Sequence, residues 1–199
     1  MTTIMPAIPT RKDISHDRIV EVAARTLRRA GYRGVGVADV MKSAGLTHGG
    51  FYAHFESREA LLVEAMQRAG RDNEASMAEA VERRVRKGTS RLVALVSSYL
   101  HEKHMERAED GCVVAALSSE MTRQDDVVRE QARRLVAELV GRVRAALPRG
   151  TDPAEAEVVA ATMVGALQLA RTLGGKPGRD LLASTRRALI ERHDRVTGT

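Results

Sequence analysis

The stretch Val37 to Arg58, VADVMKSAGLTHGGFYAHFESR, restricts the fold more than any other part of the chain. Val37, Val40, Met41 and Ala44 fall at i, i+3, i+4 and i+7, the spacing of one apolar helical face. Gly45 stands where such a helix ends by turning left-handed, with Leu46 as the apolar plug of that turn. Thr47 is placed to cap a second short helix through its hydroxyl. Two helices joined by a short glycine-containing turn form a helix-turn-helix, whose second helix can enter the major groove of DNA.

The second helix is locally odd. Gly49 and Gly50 sit in its first turn, and a glycine inside a helix costs about 1 kcal/mol relative to alanine. Glycines near a helix start are tolerated on structural grounds alone; the functional reading is that bare backbone approaches a nucleic acid closely. His48, Tyr52 and His54 crowd polar groups onto the same short element. Arg58 begins the next helix, after the cap Ser57, where a cation opposes the helix dipole. Contact with a phosphate would offset that penalty.

Composition narrows the classes. The 199 residues suffice for one good core, or one core with a small satellite domain. Hydrophobic residues make up 43% without a long uncharged run, which predicts a globular chain with no membrane partner. Met1 to Thr10 lacks the basic start and apolar block of a signal peptide, so a cytoplasmic home is expected. Cys112 is the single cysteine, which rules out an intrachain disulfide and a cysteine zinc cage. The net charge of +6 favours polyanions but identifies none. Aromatic residues are too few for a single-strand stacking groove, so duplex DNA is the better partner.

The pattern predicts an all-α chain: an arm over 1–12, a helix-turn-helix domain over 13–70, and a helical ligand-binding and dimerisation domain over 71–199. Ser15 or Asp17 can cap a first helix with Ile19, Val22, Ala23, Leu27 and Ala30 inward and Gly31 at its end. Leu61, Leu62, Ala65, Met66 and Ala69 continue the helix begun at Ser57, which runs on or breaks between Gly70 and Gly88. Ser90 to Lys103 reads as one helix. Val128, Ala132, Leu135, Leu139, Val143 and Ala146 mark a long amphipathic helix, and Asp152-Pro153 opens another with cap and first-turn proline in place. Val158 to Leu173 is apolar nearly all round, which predicts burial on more than one side. That helix and the amphipathic one from Pro177 suit a four-helix contact between two copies, although both can simply finish a monomer core.

The segment Ile19 to Met66, with its AGL-T-x-G-x-FY-x-HF-x-S-[KR]-x-x-L core, resembles the TetR family of transcriptional regulators. The resemblance covers about a third of the chain. It implies a DNA-binding homodimer on a palindromic operator, released by a small-molecule inducer in the carboxy-terminal domain, most often acting as a repressor. It also implies that Lys42, Thr47, His48, Gly49, Gly50, Tyr52, Ala53, His54 and Arg58 lie at the DNA. Tyr52 and His54 would bond phosphates, His48 would reach a base edge and Ala53 would offer a methyl to thymine. Phe51 and Phe55 would point inward. Gly36 stands where the family often has a serine or threonine that caps and also touches phosphate, so that contact is missing here.

Other features carry less. His101-Glu102-Lys103-His104 is not the HExxH zinc signature, because its second histidine comes at i+3; it is either a polar face or a single-turn metal pair. No metal and no cofactor is expected. The Gly111-Cys112 pair is similar to one in an electrophile-sensing member of the family, but a buried, inert cysteine is the favoured reading. Tyr99, Met105, Cys112, Leu117, Met121, Met163 and Leu167 are the expected lining of an inducer pocket, though methionines at helical spacing also serve as plain core. The alternative class is an all-α enzyme or protein-binding adaptor on the same fold. No nucleophile–base pair, phosphate loop or suitably spaced carboxylate pair supports an enzyme.

Overall fold

In the computed structural model, residues 9–194 are described, and all their regular structure is helical. The first eight residues of the expected arm lie outside the described residues. The rest of that arm is not an arm: Arg11 and Lys12 open α1 (Arg11–Ala30). Neither Ser15 nor Asp17 caps it. Thr10 accepts a bond from the Asp13 amide while the Asp13 carboxylate accepts from the Thr10 amide, a reciprocal capping box.

The buried side of α1 is Ile19, Val20, Ala23, Ala24, Leu27 and Arg28; of the expected stripe, Val22 is only partly buried and Ala30 is exposed. Arg28 belongs there because its guanidinium donates to the Ala69 carbonyl (3.1 Å) in α3. Buried cations persist only with such partners. α2 (Val37–Ser43) follows, then a 3-10 turn over His48–Ala53, then α3 (Arg58–Val85). Ser57 caps α3 by accepting from the Ala60 amide (3.1 Å).

α3 settles the open question about residues 70–88. It runs unbroken for 28 residues, about 42 Å at 1.5 Å per residue, and ends before Gly88 at φ +85°. Gly70 sits inside it where a Cβ would lie 2.6 Å from Leu135, so the glycine permits close passage against a later helix.

The expected helix over Ser90–Lys103 is two pieces, α4 (Arg91–Tyr99) and α5 (Glu102–Glu106). Leu100 leaves the helical region (φ −89°, ψ 46°), and His101 starts the next piece by accepting from the Lys103 amide through Nδ1 (3.1 Å). After a turn come α6 (Val113–Met121), α7 (Asp126–Ala146), α8 (Pro153–Leu173) and α9 (Gly175–His193). The six α7 residues expected inward are all buried, and Asp152 caps α8 by accepting from the Ala154 amide.

α8 departs from its sequence pattern. It buries Ala156, Val159, Ala160, Met163, Ala166, Leu167 and Ala170, all on one side. Val158, Leu169 and Leu173 remain 46–60% exposed on the other side. It is also long and apolar enough to cross a membrane, with a mean hydropathy of 1.2. Within one chain, an all-round apolar helix is thus only half covered.

Candidate nucleic-acid interface

The turn after α2 follows the sequence reading closely. Gly45 takes φ +73°, its amide donates to Lys42 O, and the Leu46 amide donates to Met41 O (2.9 Å). This pair of bonds is the Schellman ending, and it requires the left-handed residue that glycine supplies most easily. Arg18 of α1, which no sequence signal marked, donates to Ala44 O (3.3 Å) and ties the turn to α1.

The next element differs from expectation. It is a six-residue 3-10 turn, and Thr47 makes no side-chain cap. The tighter winding explains why: the Gly50 amide, a natural partner for the threonine hydroxyl, donates to the Thr47 carbonyl instead (3.0 Å). Gly36 likewise precedes α2 without any side-chain cap.

Phe51 and Phe55 anchor this element from inside, 2% and 3% exposed, with rings 5.5 Å apart. The opposite side carries Thr47, His48, Gly49, Tyr52 and Ala53, all exposed, with Lys42 on the neighbouring helix end. Tyr52 is 75% exposed, an unusual place for an aromatic ring unless something covers it. The glycines have no internal reason. A Cβ on Gly49 would meet nothing within 4 Å, and one on Gly50 only ordinary contacts at 3.7 Å; neither has a positive φ.

His54 and Arg58 are turned inward more than the sequence suggested. The His54 Nδ1 is buried without a partner, and desolvation, reinforced by the nearby His16 and Lys12, lowers its pKa. His16 stacks on Phe55 at 4.5 Å and meets Glu64 at 2.7 Å. Arg58 donates from Nε to Val35 O (3.1 Å) and from a terminal nitrogen to Tyr32 O. These bonds clamp the link between α1 and α2. The helix-opening cation therefore has a structural job, whatever else it reaches.

Glu120, which from the sequence could line a pocket or pair with Arg123, does something else. Its carboxylate accepts from the Tyr32 amide (3.2 Å) and lies where a Cβ on Gly31 (φ +70°) would clash at 2.4 Å. α6 in the carboxy-terminal part thus holds the entry to the helix-turn-helix. An acidic residue in an apolar segment was the only signal.

The seven residues expected to line an inducer pocket line neither of two open clefts. All are 7% exposed or less, and Leu117, Met163 and Leu167 are fully buried. They fill the core between the long helices, as methionines at helical spacing commonly do. The open space lies elsewhere: a polar cleft between α3 and α5, and a groove between α7 and α8.

Cys112 is 2% exposed and buried beside the Tyr99 hydroxyl, whose own pKa burial pushes well up. Next to them His104 forms a knot. The Cys112 amide donates to His104 Nε2 (2.9 Å), so the neutral ring carries its proton on Nδ1 and donates to Tyr99 O (2.8 Å). Burial lowers its pKa to about 4, with Arg171 adding to the effect. Arg171 of α8 donates to the His104 carbonyl (2.9 Å). Both ring nitrogens are engaged, which leaves no metal pair with His101; among the described residues no three potential ligands gather.

Comparison with known proteins agrees with this geometry. Residues 19–65 match bacterial regulatory proteins of the tetR family, and residues 88–181 match the tetracyclin repressor-like carboxy-terminal domain. No curated protein matches by sequence. A TetR-family regulator from Agrobacterium tumefaciens has a similar structure (TM-score 0.74, 24% identity, 92% of this chain and 99% of that one). One from Chloroflexus aurantiacus is similar at TM-score 0.73 and 24% identity, over 91% and 94% of the two chains. The reduced form of NemR from E. coli is similar at TM-score 0.72 and 17% identity, over 90% and 97%. At such identities these structures speak for the fold, while the two matched segments, which together cover most of the chain, carry the assignment. The chain belongs to the tetR family of bacterial regulatory proteins, with a helix-turn-helix DNA-binding domain and a carboxy-terminal ligand-binding domain.

Proposed function

We propose that the protein is a cytoplasmic, ligand-released repressor that binds a palindromic DNA operator as a homodimer. The observation that carries this reading is the exposed face of Thr47, His48, Gly49, Tyr52 and Ala53 over a packed Phe51–Phe55 floor. Tyr52 bonds a phosphate, His48 reaches a base edge, and the glycines admit the backbone of the duplex. Phosphate contacts position the element and base contacts select the sequence.

The uncharged outer face of α8 supports the homodimer. Val158, Ala161, Thr162, Gly165, Leu169 and Thr172 share one side of the helix without a charge among them. A second copy laid on this face makes an isologous contact and buries it in both chains. Two recognition turns then sit about 34–36 Å apart, one turn of duplex, which is why the operator is palindromic. α3 starts directly after the recognition turn and reaches the ligand-binding half, so a ligand that tilts it alters that spacing. The coupling needed is typically about 1–3 kcal/mol.

The test is retention of DNA from the upstream region by the purified protein as salt is raised. The expected result is binding that weakens steeply with salt and is lost in a His48→Ala, Tyr52→Ala double variant of unchanged stability. Salt-insensitive binding, or full retention by the double variant, would refute the assignment of this face.

A further inference from the structure

A cleft of about 610 Å³ opens beside the far half of α3. One wall runs from Asn73 of α3 to Lys87, just past its end; the other is the end of α4, α5 and the turn to Gly111. Arg83, Arg84 and Lys87 line the first wall, and Lys103 and Arg107 line the second. Asp110 is the lone carboxylate in the lining, and Arg107 already holds it. Arg83 is paired with Glu79 at 2.7 Å. Among the described residues, Arg84, Lys87 and Lys103 have no carboxylate partner.

Like charges facing each other across a concave space repel, and the low-dielectric walls strengthen the field between them. An ordinary solvated surface relieves this by interspersing acids, as α7 does with Glu130 between Arg133 and Arg134. The cleft does not. Its lining adds one unmet polar group, Ser98 Oγ, which is closed off without a hydrogen-bond partner among the described residues, and a buried amide, Asn73, 8% exposed. Met77 and Ala80 are the only apolar side chains in the lining, and the charged groups lie at the ends of long arginine and lysine stems. Arg84 lies 26 residues beyond Arg58, about 39 Å along the helix axis, which removes the cleft from the DNA-facing surface.

We propose that this cleft binds a small, multiply charged oxyanion, a polycarboxylate or a phosphate ester, held between Arg84 of α3, Lys87 just past its end and Lys103 of α5. The inference deepens the ligand-responsive reading above and rests on it for its consequence. Guanidinium forks match carboxylate and phosphate oxygens in pairs, and the volume suits a small molecule. An anion in the gap cancels the repulsion and draws α5 toward α3. α5 is in turn tied to α8 by the Arg171 bond to His104, and α3 begins beside the recognition turn. The anion thus links the proposed dimer helix to the proposed DNA-binding element.

The experiment uses the full chain with sodium citrate and sodium pyrophosphate as separate probes, at ionic strength held constant with sodium chloride. Calorimetry follows binding, and anisotropy of labelled upstream DNA follows release. The expected result is saturable binding of at least one probe and weakening of DNA affinity by about fivefold or more. Citrate alone identifies a polycarboxylate ligand and pyrophosphate alone a phosphate ester. An Arg84→Gln, Lys103→Gln variant should lose the saturable binding and keep its DNA affinity without probe. No saturable binding of either probe at millimolar concentration, or equal binding by the variant, overturns the proposal. Saturable binding by a protein that retains no DNA would uphold the site and overturn the regulator reading; DNA retention with no saturable binding of either probe would do the reverse, and saturable binding that leaves DNA affinity unchanged would overturn the proposed coupling.

Discussion

Acid should loosen this protein most through His104, whose pKa burial lowers furthest among its histidines. In the folded chain its Nε2 accepts from the Cys112 amide and its Nδ1–H donates to Tyr99 O, so the ring must stay neutral. Its pKa is lowered from 6.5 to about 4 by burial. Between those values the unfolded chain binds a proton that the folded one refuses, so stability rises with pH there. The contribution is complete above pH 6.5, declines as pH falls, and is gone once pH passes below 4. The interval corresponds to about 3 kcal/mol in all, and about 2.5 kcal/mol at pH 4.5. The assay is urea unfolding followed by circular dichroism at pH 7.5 and pH 4.5, at fixed protomer concentration. His104→Asn, which keeps a donor for Tyr99 O and cannot titrate, is the reference. Carboxylates titrate in both proteins and cancel in the difference. The wild type should lose about 2–3 kcal/mol more than the variant. Parallel losses would show that the ring takes its proton without leaving the knot, and the reasoning would fail.

Three further outcomes test the packing and the interface. Arg58→Ala removes two charge-assisted bonds to the carbonyls of Val35 and Tyr32 and should cost about 1.5–3 kcal/mol in chemical denaturation, independent of DNA. Gly49→Ala meets nothing within 4 Å, so the melting temperature should hold or rise while affinity for DNA falls in a gel-shift titration; unchanged affinity would remove the glycine from the interface. Gly178→Ala puts a Cβ 2.4 Å from Ala170 O, where α9 crosses α8, and should destabilise by about 1–3 kcal/mol in thermal unfolding.

The helix-turn-helix was legible because its signals are local. The α2 face, the left-handed Gly45, the Leu46 plug and the inward phenylalanines depend on residues a few positions apart. The α7 stripe and the Asp152-Pro153 start were legible for the same reason. The 3-10 winding at His48–Ala53 was not, because it turns on which acceptor the Gly50 amide finds.

Long-range partners decided the rest. Arg58 looked like a cation awaiting a phosphate until the carbonyls of Tyr32 and Val35 came within its reach. Glu120 reads in the sequence as a pocket residue or a partner of Arg123, and it holds the Tyr32 amide, 88 positions away. The expected pocket residues became core, and the open cleft formed where two cationic segments, unremarkable apart, were brought face to face. The sequence by itself determined the all-α class, the DNA-facing element and most helix ends, since periodicity and caps are written within a turn or two. Only tertiary structure decided which charges face a carbonyl, which face one another, and which side of α8 stays uncovered, because those depend on distances the chain sets only when it folds.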